Sequence, residues 1–346
     1  MATIVDVAKA AGCSVATVSR VLNGKRAKEG ELARRVLDAA RALDYVPNSA
    51  ARNLRKSESR VILILLPNVT NPYYAHILSG IGDSAYQHGY SHFLCNTGNR
   101  REREEAVLGR LTRRQADGAI LMATELGSAW LKPYAERYPI VQCSEFDPEV
   151  DIAHVSVDNY RAALEVMDHL MGLGHRRIGI ISSENRYSST ALRVKGYRDA
   201  LEHAGLPVSE DYICRADAGY SFKSGFDAAV SLLSLDERPT ALFCISDVLA
   251  LGAIAGAREL GLNVPGDVAV VGFDDVEHTT MFRPYLTTVG QPCYEIGYRA
   301  MEMLIGLLGG EEVPRQIQLP HRLTVRESSG LRRHTLDLTV ERPSSQ

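Results

Sequence analysis

The stretch Thr3-Ile4-Val5-Asp6-Val7-Ala8-Lys9-Ala10-Ala11-Gly12-Cys13-Ser14-Val15-Ala16-Thr17-Val18-Ser19-Arg20-Val21-Leu22-Asn23 reads as two short helices joined by a tight turn. Thr3 suits a helix N-cap, because its hydroxyl can accept a free backbone N–H of the first turn. Ile4, Val7, Ala8 and Ala11 recur behind it at helical spacing. Gly12 stops that helix, since glycine reaches positive φ without steric cost. Ser14 can cap a second helix that carries Val18, Val21 and Leu22 along one side. Two helices at this separation make a helix-turn-helix. The other side of the second helix presents Val15, Ala16, Thr17 and Arg20. Small side chains, one hydroxyl and one guanidinium suit a helix that enters a DNA major groove and approaches base edges closely.

Charge is segregated in the same sense. Residues 1–60 hold 12 Lys and Arg against 6 Asp and Glu, a net +6, in a chain of 346 residues whose overall balance is −3. The remainder is therefore −9. A basic head on an acidic body predicts one nucleic-acid-binding module and a body that stays off DNA. No apolar run approaches the roughly 20 residues that cross a bilayer. Met1-Ala2-Thr3 leads straight into an amphipathic helix, so neither a signal peptide nor a membrane partner is expected. Cys13, Cys95, Cys143, Cys214, Cys244 and Cys293 are scattered, with no C-x-x-C pair. That argues against a zinc site or a disulfide framework and for a reducing cytoplasm. No metal or cofactor is expected.

A third helix over about residues 30–43 would place Leu32, Val36, Leu37, Ala40 and Leu43 against the first two. Pro47 drives residue 46 out of helical geometry, which closes a headpiece of residues 1–47. Asn48 can cap Ser49-Ala50-Ala51-Arg52-Asn53-Leu54-Arg55, one or two turns that are too short to stand alone in water. Residues 48–60 are thus expected to form a hinge helix and linker that fold on docking. Beyond it, Val61-Ile62-Leu63-Ile64-Leu65-Leu66 is the continuous apolar run of a parallel strand buried on both faces.

A helix over about 73–88 and strands near 92–95, 119–122 and 140–142 follow. A second cycle runs through 177–181, 213–215, 241–245 and 268–272. Two such sets imply two α/β lobes within residues 61–330, each with a parallel sheet and right-handed crossovers. Residues 331–346 are short and polar and are expected to be a disordered tail. Ligands of open parallel sheets sit beyond the carboxyl ends of the strands. There stand Tyr73 and Tyr74, Glu145 and Phe146, Arg193, Tyr220, Ser246 and Asp247, and Asp274 and Asp275. Aromatic walls with a few carboxylates and one Arg suit a small polyhydroxylated ligand.

Across about residues 3–330 the chain resembles the lactose-repressor (LacI) family of transcription regulators. The headpiece pieces are Asp6-Val7-Ala8, the run Ser14 through Asn23, and Tyr45-Val46-Pro47-Asn48. The body pieces include Asn71-Pro72-Tyr73-Tyr74, Val157-Asp158-Asn159, Leu173-Gly174-His175-Arg176-Arg177-Ile178 and Arg193-Val194-Lys195-Gly196-Tyr197. Ser246-Asp247-Val248-Leu249-Ala250-Leu251-Gly252, Val270-Val271-Gly272-Phe273-Asp274-Asp275 and Leu286-Thr287-Thr288-Val289 come later.

The resemblance implies an all-α helix-turn-helix headpiece and an α/β body of two flavodoxin-like lobes of the periplasmic-binding-protein type. It implies that Val15, Ala16 and Arg20 read bases, while Ser14, Thr17 and Asn23 hold phosphates. Asn48, Ala51 and Leu54 fall at the hinge, with Leu54 as a wedge in the minor groove. Tyr73, Tyr74, Glu145, Phe146, Arg193, Tyr220, Ser246 and Asp274 would contact the effector. The partners implied are double-stranded operator DNA, a small-molecule effector and a second copy of the chain. No heptad repeat follows Gly330, so a dimer without a tetramerisation helix is expected.

Two departures stand out. Lys28-Glu29-Gly30-Glu31-Leu32-Ala33 replaces the family's Val-Ser-x-x-Thr-Arg, which removes the hydroxyl cap of the third helix; Lys25, Arg26 and Lys28 are candidate replacements for its phosphate contacts. Ser246 replaces the Asn of sugar-responsive members. Together with Glu145-Phe146 and Gln291-Pro292-Cys293-Tyr294-Glu295-Ile296-Gly297, it resembles the cytidine-responsive repressors most closely. A nucleoside is therefore the leading effector class, beside a sugar or sugar phosphate. The alternative of a solute-binding receptor would use residues 61–330 alone, and the basic head opposes it. An enzyme is disfavoured, because no nucleophile elbow, metal-ligand pair or phosphate loop is present.

Overall fold

The first helix forms where its cap predicts. α1, Ile4–Ala11, begins at Thr3, whose hydroxyl accepts the Asp6 N–H at 3.3 Å while the Asp6 carboxylate accepts the Thr3 N–H at 2.8 Å. This reciprocal pair satisfies two donors that a helix end otherwise leaves open. Gly12, left-handed at φ 60, ends α1. α2, Val15–Leu22, is started by Ser14, which accepts the Thr17 N–H at 3.2 Å. α3, Glu31–Ala42, packs Ala33 and Val36 onto Val7, Ala11, Val18 and Val21. Arg35 donates to the Ala11 carbonyl at 2.5 Å and ties α3 to the turn. α3 starts at Gly30 without a side-chain cap, in line with the hydroxyl missing from the sequence.

The computed structural model describes residues 2–22, 30–45 and 58–330, and its contacts gather into two units, Met1–Ser59 and Arg60–Gln346. Asn23, Lys25, Arg26, Lys28, Asn48, Ala51 and Leu54, and the tail 331–346, lie outside the described residues.

In the second unit, lobe 1 holds β1 (Val61–Leu66), β2 (Ser91–Asn96), β3 (Gly118–Leu121), β4 (Ile140–Cys143), β5 (Ala153–Val157) and β11 (Gln316–Leu319) in the order β11-β5-β4-β3-β1-β2. All these neighbours are parallel. The pleat divides β1 between two faces. Ile62, Ile64 and Leu66 pack under α4 (Pro72–Gln87) and α11 (Cys293–Gly309), while Leu63 and Leu65 pack under α5 (Arg101–Thr112) and α6 (Ser128–Ala135). Lobe 2 holds β6 (Ile178–Ser183), β7 (Ile213–Ala216), β8 (Ala241–Cys244), β9 (Ala269–Asp274), β10 (Thr287–Gly290) and β12 (Arg322–Thr324), ordered β12-β10-β9-β8-β6-β7. Only the β10–β12 pair is antiparallel. α7 (Asn159–Gly172), α8 (Ser188–His203), α9 (Phe222–Leu233) and α10 (Asp247–Glu259) cover its faces.

The lobes are not consecutive halves of the chain. α11 and β11 follow the lobe 2 strands in sequence yet belong to lobe 1. The chain therefore crosses between lobes three times: after β5, after β10, and between β11 and β12. The sequence periodicity did not mark β5, β10, β11 or β12 as strands. They are three to five residues long and carry polar side chains, so no apolar run marks them.

α4 and α11 meet at glycines. A methyl group on Gly297 would collide with the Ile77 carbonyl oxygen, and one on Gly80 with that of Tyr294. Gly297→Ala should therefore lower unfolding stability by about 1–3 kcal/mol, the usual cost of overpacking, as read from urea denaturation of the full chain.

Candidate functional site

Two surfaces carry candidate function, one in each unit. In the headpiece, Val18 and Val21 are fully buried, while Ser14, Val15, Ala16 and Arg20 are exposed and Thr17 is half-buried. The Ser14 and Thr17 hydroxyls lie 2.9 Å apart. The outward face of α2 is therefore low in relief, with a single long cation, as major-groove entry requires.

The second surface is the cleft between the lobes. Tyr73 and Tyr74 begin α4 behind the Asn71 cap, with their rings edge to face at 5.4 Å. The Tyr73 hydroxyl lies 2.5 Å from the Ser144 hydroxyl and donates to Gln291 Oε1 at 3.3 Å. The Gln291 amide in turn donates to Asp274 at 2.9 Å. Arg193, on α8, is 5% exposed. It donates to Asn159 Oδ1 at 2.9 Å and to the Ile245 carbonyl at 2.5 Å, and lies 3.5 Å over the Phe273 ring. The Tyr220 hydroxyl pairs with that of Thr190 at 3.0 Å.

Ser144, Tyr220, Asp274 and Asp275 all take positive φ, at 75°, 55°, 122° and 54°. Such backbone is costly for residues with a Cβ and gathers at functional sites. All four follow or end strands that point at the cleft.

Glu145 does more than line a wall. Its carboxylate accepts the Ser188 hydroxyl at 3.1 Å, the Ser189 N–H at 3.0 Å and the Ser189 hydroxyl. The residue before α8, Tyr187, offers no side-chain cap. A lobe 1 carboxylate thus caps a lobe 2 helix, where the helix dipole favours negative charge. The Tyr187 hydroxyl adds a second tie across the cleft by donating to Asn99 at 2.6 Å.

Two strand-end carboxylates leave the candidate ligand set. Asp247 is fully buried and accepts the Thr288 hydroxyl at 2.6 Å and the Val276 N–H at 2.9 Å. Asp275 pairs with Arg326 at 2.7 Å. Both are scaffold. Ser246 is the N-cap of α10, accepting the Leu249 N–H at 3.4 Å, so its hydroxyl already has a structural task. Sequence reasoning missed Ser144, Asn159, Ser189 and Gln291, which hold the named residues in place. Ser144 stands beside Glu145 and Ser189 one turn before Arg193, while Asn159 and Gln291 lie in the motifs Val157-Asp158-Asn159 and Gln291–Gly297 that carried the family resemblance without being assigned a role.

Burial dominates the electrostatics. It pushes the Asp274 carboxyl up to about 7, against the pull of Arg193 and the Gln291 hydrogen bond. It raises Asp247 as well, with the Asp274 charge adding to the effect. It raises Glu145 too, although the Ser189 bonds and Arg193 oppose it, and pushes the Tyr220 phenol up to about 12. Near neutral pH, Asp274 can either donate or accept a hydrogen bond.

A raised carboxyl pKa makes the folded state hold a proton that the unfolded chain has released. Stability therefore falls as pH rises from the ordinary carboxylate range to about 7. Asp274→Asn should flatten part of that slope, so that thermal midpoints of variant and wild type diverge with pH below about 7 and run parallel above it. Parallel curves from pH 5 to 8 would contradict the assignment.

The comparisons with known proteins agree with this geometry. Residues 3–48 match the model of bacterial regulatory proteins of the lacI family, and residues 167–329 match a periplasmic binding protein-like domain. Catabolite control protein A of Priestia megaterium is 37% identical over 94% of this chain and 99% of its own. The HTH-type transcriptional repressor CytR of Escherichia coli K12 is 37% identical over 90% of this chain and 91% of its own. Among solved structures, the lac repressor dimer bound to operator and the anti-inducer ONPF superposes with a TM-score of 0.84 at 26% identity, covering 95% of this chain and 99% of that one. No helix among the described residues is long and apolar enough to cross a membrane. With a regulator headpiece, a two-lobe ligand-binding fold and identity sustained along the whole length, the chain belongs to the lacI family of bacterial regulatory proteins and is a DNA-binding transcriptional regulator.

Proposed function

We propose that the chain is a cytoplasmic repressor, not an enzyme. In this reading it binds a pseudo-palindromic operator as a homodimer and changes affinity when a small molecule enters the interlobe cleft. The carrying observation is the pairing of a low, exposed α2 face with a cleft whose polar groups converge on buried Arg193. Residues 1–47 are the headpiece, 48–60 the hinge, 61–330 the effector-binding and dimerisation body, and 331–346 a tail. Val15, Ala16 and Arg20 face bases, Ser14, Thr17 and Asn23 face phosphates, and Asn48, Ala51 and Leu54 act at the minor groove. Tyr73, Tyr74, Glu145, Phe146, Arg193, Tyr220, Ser246 and Asp274 form the effector site.

Dimerisation is supported by apolar side chains left exposed in the body. Phe93 and Leu94 on the edge strand β2 are 50% and 43% exposed, and Phe282 is 73% exposed. Uncovered apolar edges invite aggregation unless a partner covers them. The related lac repressor structure is a dimer on operator DNA. A nucleoside is the leading effector class, on the resemblance of Ser246, Glu145-Phe146 and Gln291–Gly297 to the cytidine-responsive repressors, and a sugar is the second reading.

Two variants separate the two sites. Arg20→Ala should lose about 1–3 kcal/mol of operator affinity and relax specificity at the base it contacts, while leaving thermal stabilisation by the effector intact. Arg193→Ala should keep basal operator binding and lose the effector response, since its buried partners are left unpaired. Gel shifts, with and without nucleosides and sugars, read both. Wild-type operator affinity in Arg20→Ala would sink the assignment of α2 as the reading helix.

A further inference from the structure

Beside the residues assigned to the effector lies a cavity of about 650 Å³ between the two lobes. On the lobe 1 side it is bounded by the segment after β3, with Glu125 and Leu126, and by residues 145–149 after β4. On the lobe 2 side stand Arg186, Tyr187, Ala191 and Leu192 at the start of α8. Tyr73, Arg193, Tyr220, Ser246 and Asp274 are not among its lining residues, whereas Glu145 and Phe146 are. Glu145 and Phe146 thus belong both to the lining of this cavity and to the set assigned to the effector.

The cavity has the size and walls of a ligand site. Small-molecule sites run from roughly 300 to 1,000 Å³ and are mostly apolar, with a few placed polar groups. Leu121, Leu126, Pro148 and Leu192 supply the apolar surface. Phe146 is braced by the His154 ring, nearly parallel to it at 4.2 Å and 12°. Tyr187 is fixed through its hydroxyl bond to Asn99. Held aromatic rings take the flat face of another ring at little entropic cost. The charge balance decides the ligand class. Glu125, Asp147 and Glu149 face the space against Arg186 alone. Carboxylates accept hydrogen bonds from hydroxyl and amino groups and repel phosphate.

Building on the cleft as the effector site, we propose that this cavity is a second effector compartment. The effector is then an uncharged molecule of two linked rings. One ring is held by Tyr73, Arg193, Tyr220 and Asp274, and the other lies against Phe146 and Tyr187. A nucleoside and a disaccharide share this chemistry.

Ala191 is exposed on α8 and lines the cavity, so Ala191→Trp fills the compartment without touching the core. Calorimetric titration of the full chain would use cytidine and cellobiose as two-ring probes, ribose and glucose as their one-ring halves, and cytidine 5′-monophosphate as the charged probe. One two-ring probe should bind wild type about tenfold or more tighter than its one-ring half, and the arm that responds identifies the source. Cytidine monophosphate should bind more weakly than cytidine. Ala191→Trp should remove the two-ring gain and leave the one-ring probes unchanged, while Ala191→Ser should behave as wild type. Glu125→Gln, an independent variant, should narrow the gap between cytidine and its monophosphate.

A two-ring gain that survives Ala191→Trp overturns the proposal, as does the absence of any gain or of any binding by both two-ring probes. If ribose or glucose still binds and Arg193→Ala abolishes that binding, the cleft reading stands and only the second compartment falls.

Discussion

A guanidinium at 5% exposure has to be satisfied by the protein around it, and the cleft is arranged about that need. Arginine cannot shed its proton, and taking its charge out of water is costly without partners. Arg193 meets this with the Asn159 amide from α7, the Ile245 carbonyl after β8, the Phe273 ring of β9 and two nearby carboxylates, Asp274 and Glu145. These groups come from both lobes, so the site is a shell around one fixed cation. Asn159 and Ile245 occupy two of the five N–H donors. In the proposed reading the rest of the fork is left for an effector hydroxyl or carbonyl.

The same shell explains how binding reaches the lobe arrangement. Asp274 in lobe 2 holds the Gln291 amide, Gln291 lies in the crossover after β10, and its oxygen accepts from Tyr73 in lobe 1. Glu145 caps α8 from the opposite lobe. Each such bond is worth about 0.5–1.5 kcal/mol net, so a handful of them hold the lobes with only a few kcal/mol. A ligand at 100 times its dissociation constant contributes about 2.7 kcal/mol to the state it prefers. The two quantities are comparable, which lets a small molecule bias the arrangement, provided it binds the two forms unequally.

The sequence was most legible where one physical signal stood alone. The Thr3 cap, the Gly12 stop, the Ser14 cap and the 3.6-residue spacing placed both ends of α1 and the start of α2 within a residue. The unbroken apolar run placed β1 at Val61–Leu66. Reading the ends of the parallel strands brought Tyr73, Glu145, Arg193, Tyr220 and Asp274 to one cleft, because topology fixes where such ends point. It could not divide Asp274 from Asp275 or Ser246 from Asp247. Adjacent residues share a strand end; the family resemblance singled out Asp274 and Ser246, and the partners Arg326 and Thr288, far away in sequence, show what Asp275 and Asp247 hold. The return of α11 and β11 to lobe 1 was hidden for the same reason, since three interlobe crossings are a long-range fact with no local signature.

The headpiece shows the opposite economy. Among the described residues its fully buried core consists of Val7, Val18, Val21 and Val36 with alanines, and Ile4, Leu22, Leu37 and Tyr45 pack partly buried against it. Burying a valine contributes about 1.5–3 kcal/mol at most, and small domains bury too little surface to be robust. The capping box at Thr3 and the Arg35 bond to Ala11 therefore carry a larger share of the order than such contacts do in the body. The low outer face of α2 comes from its own outward side chains, Val15, Ala16 and Thr17, and not from the core beneath it.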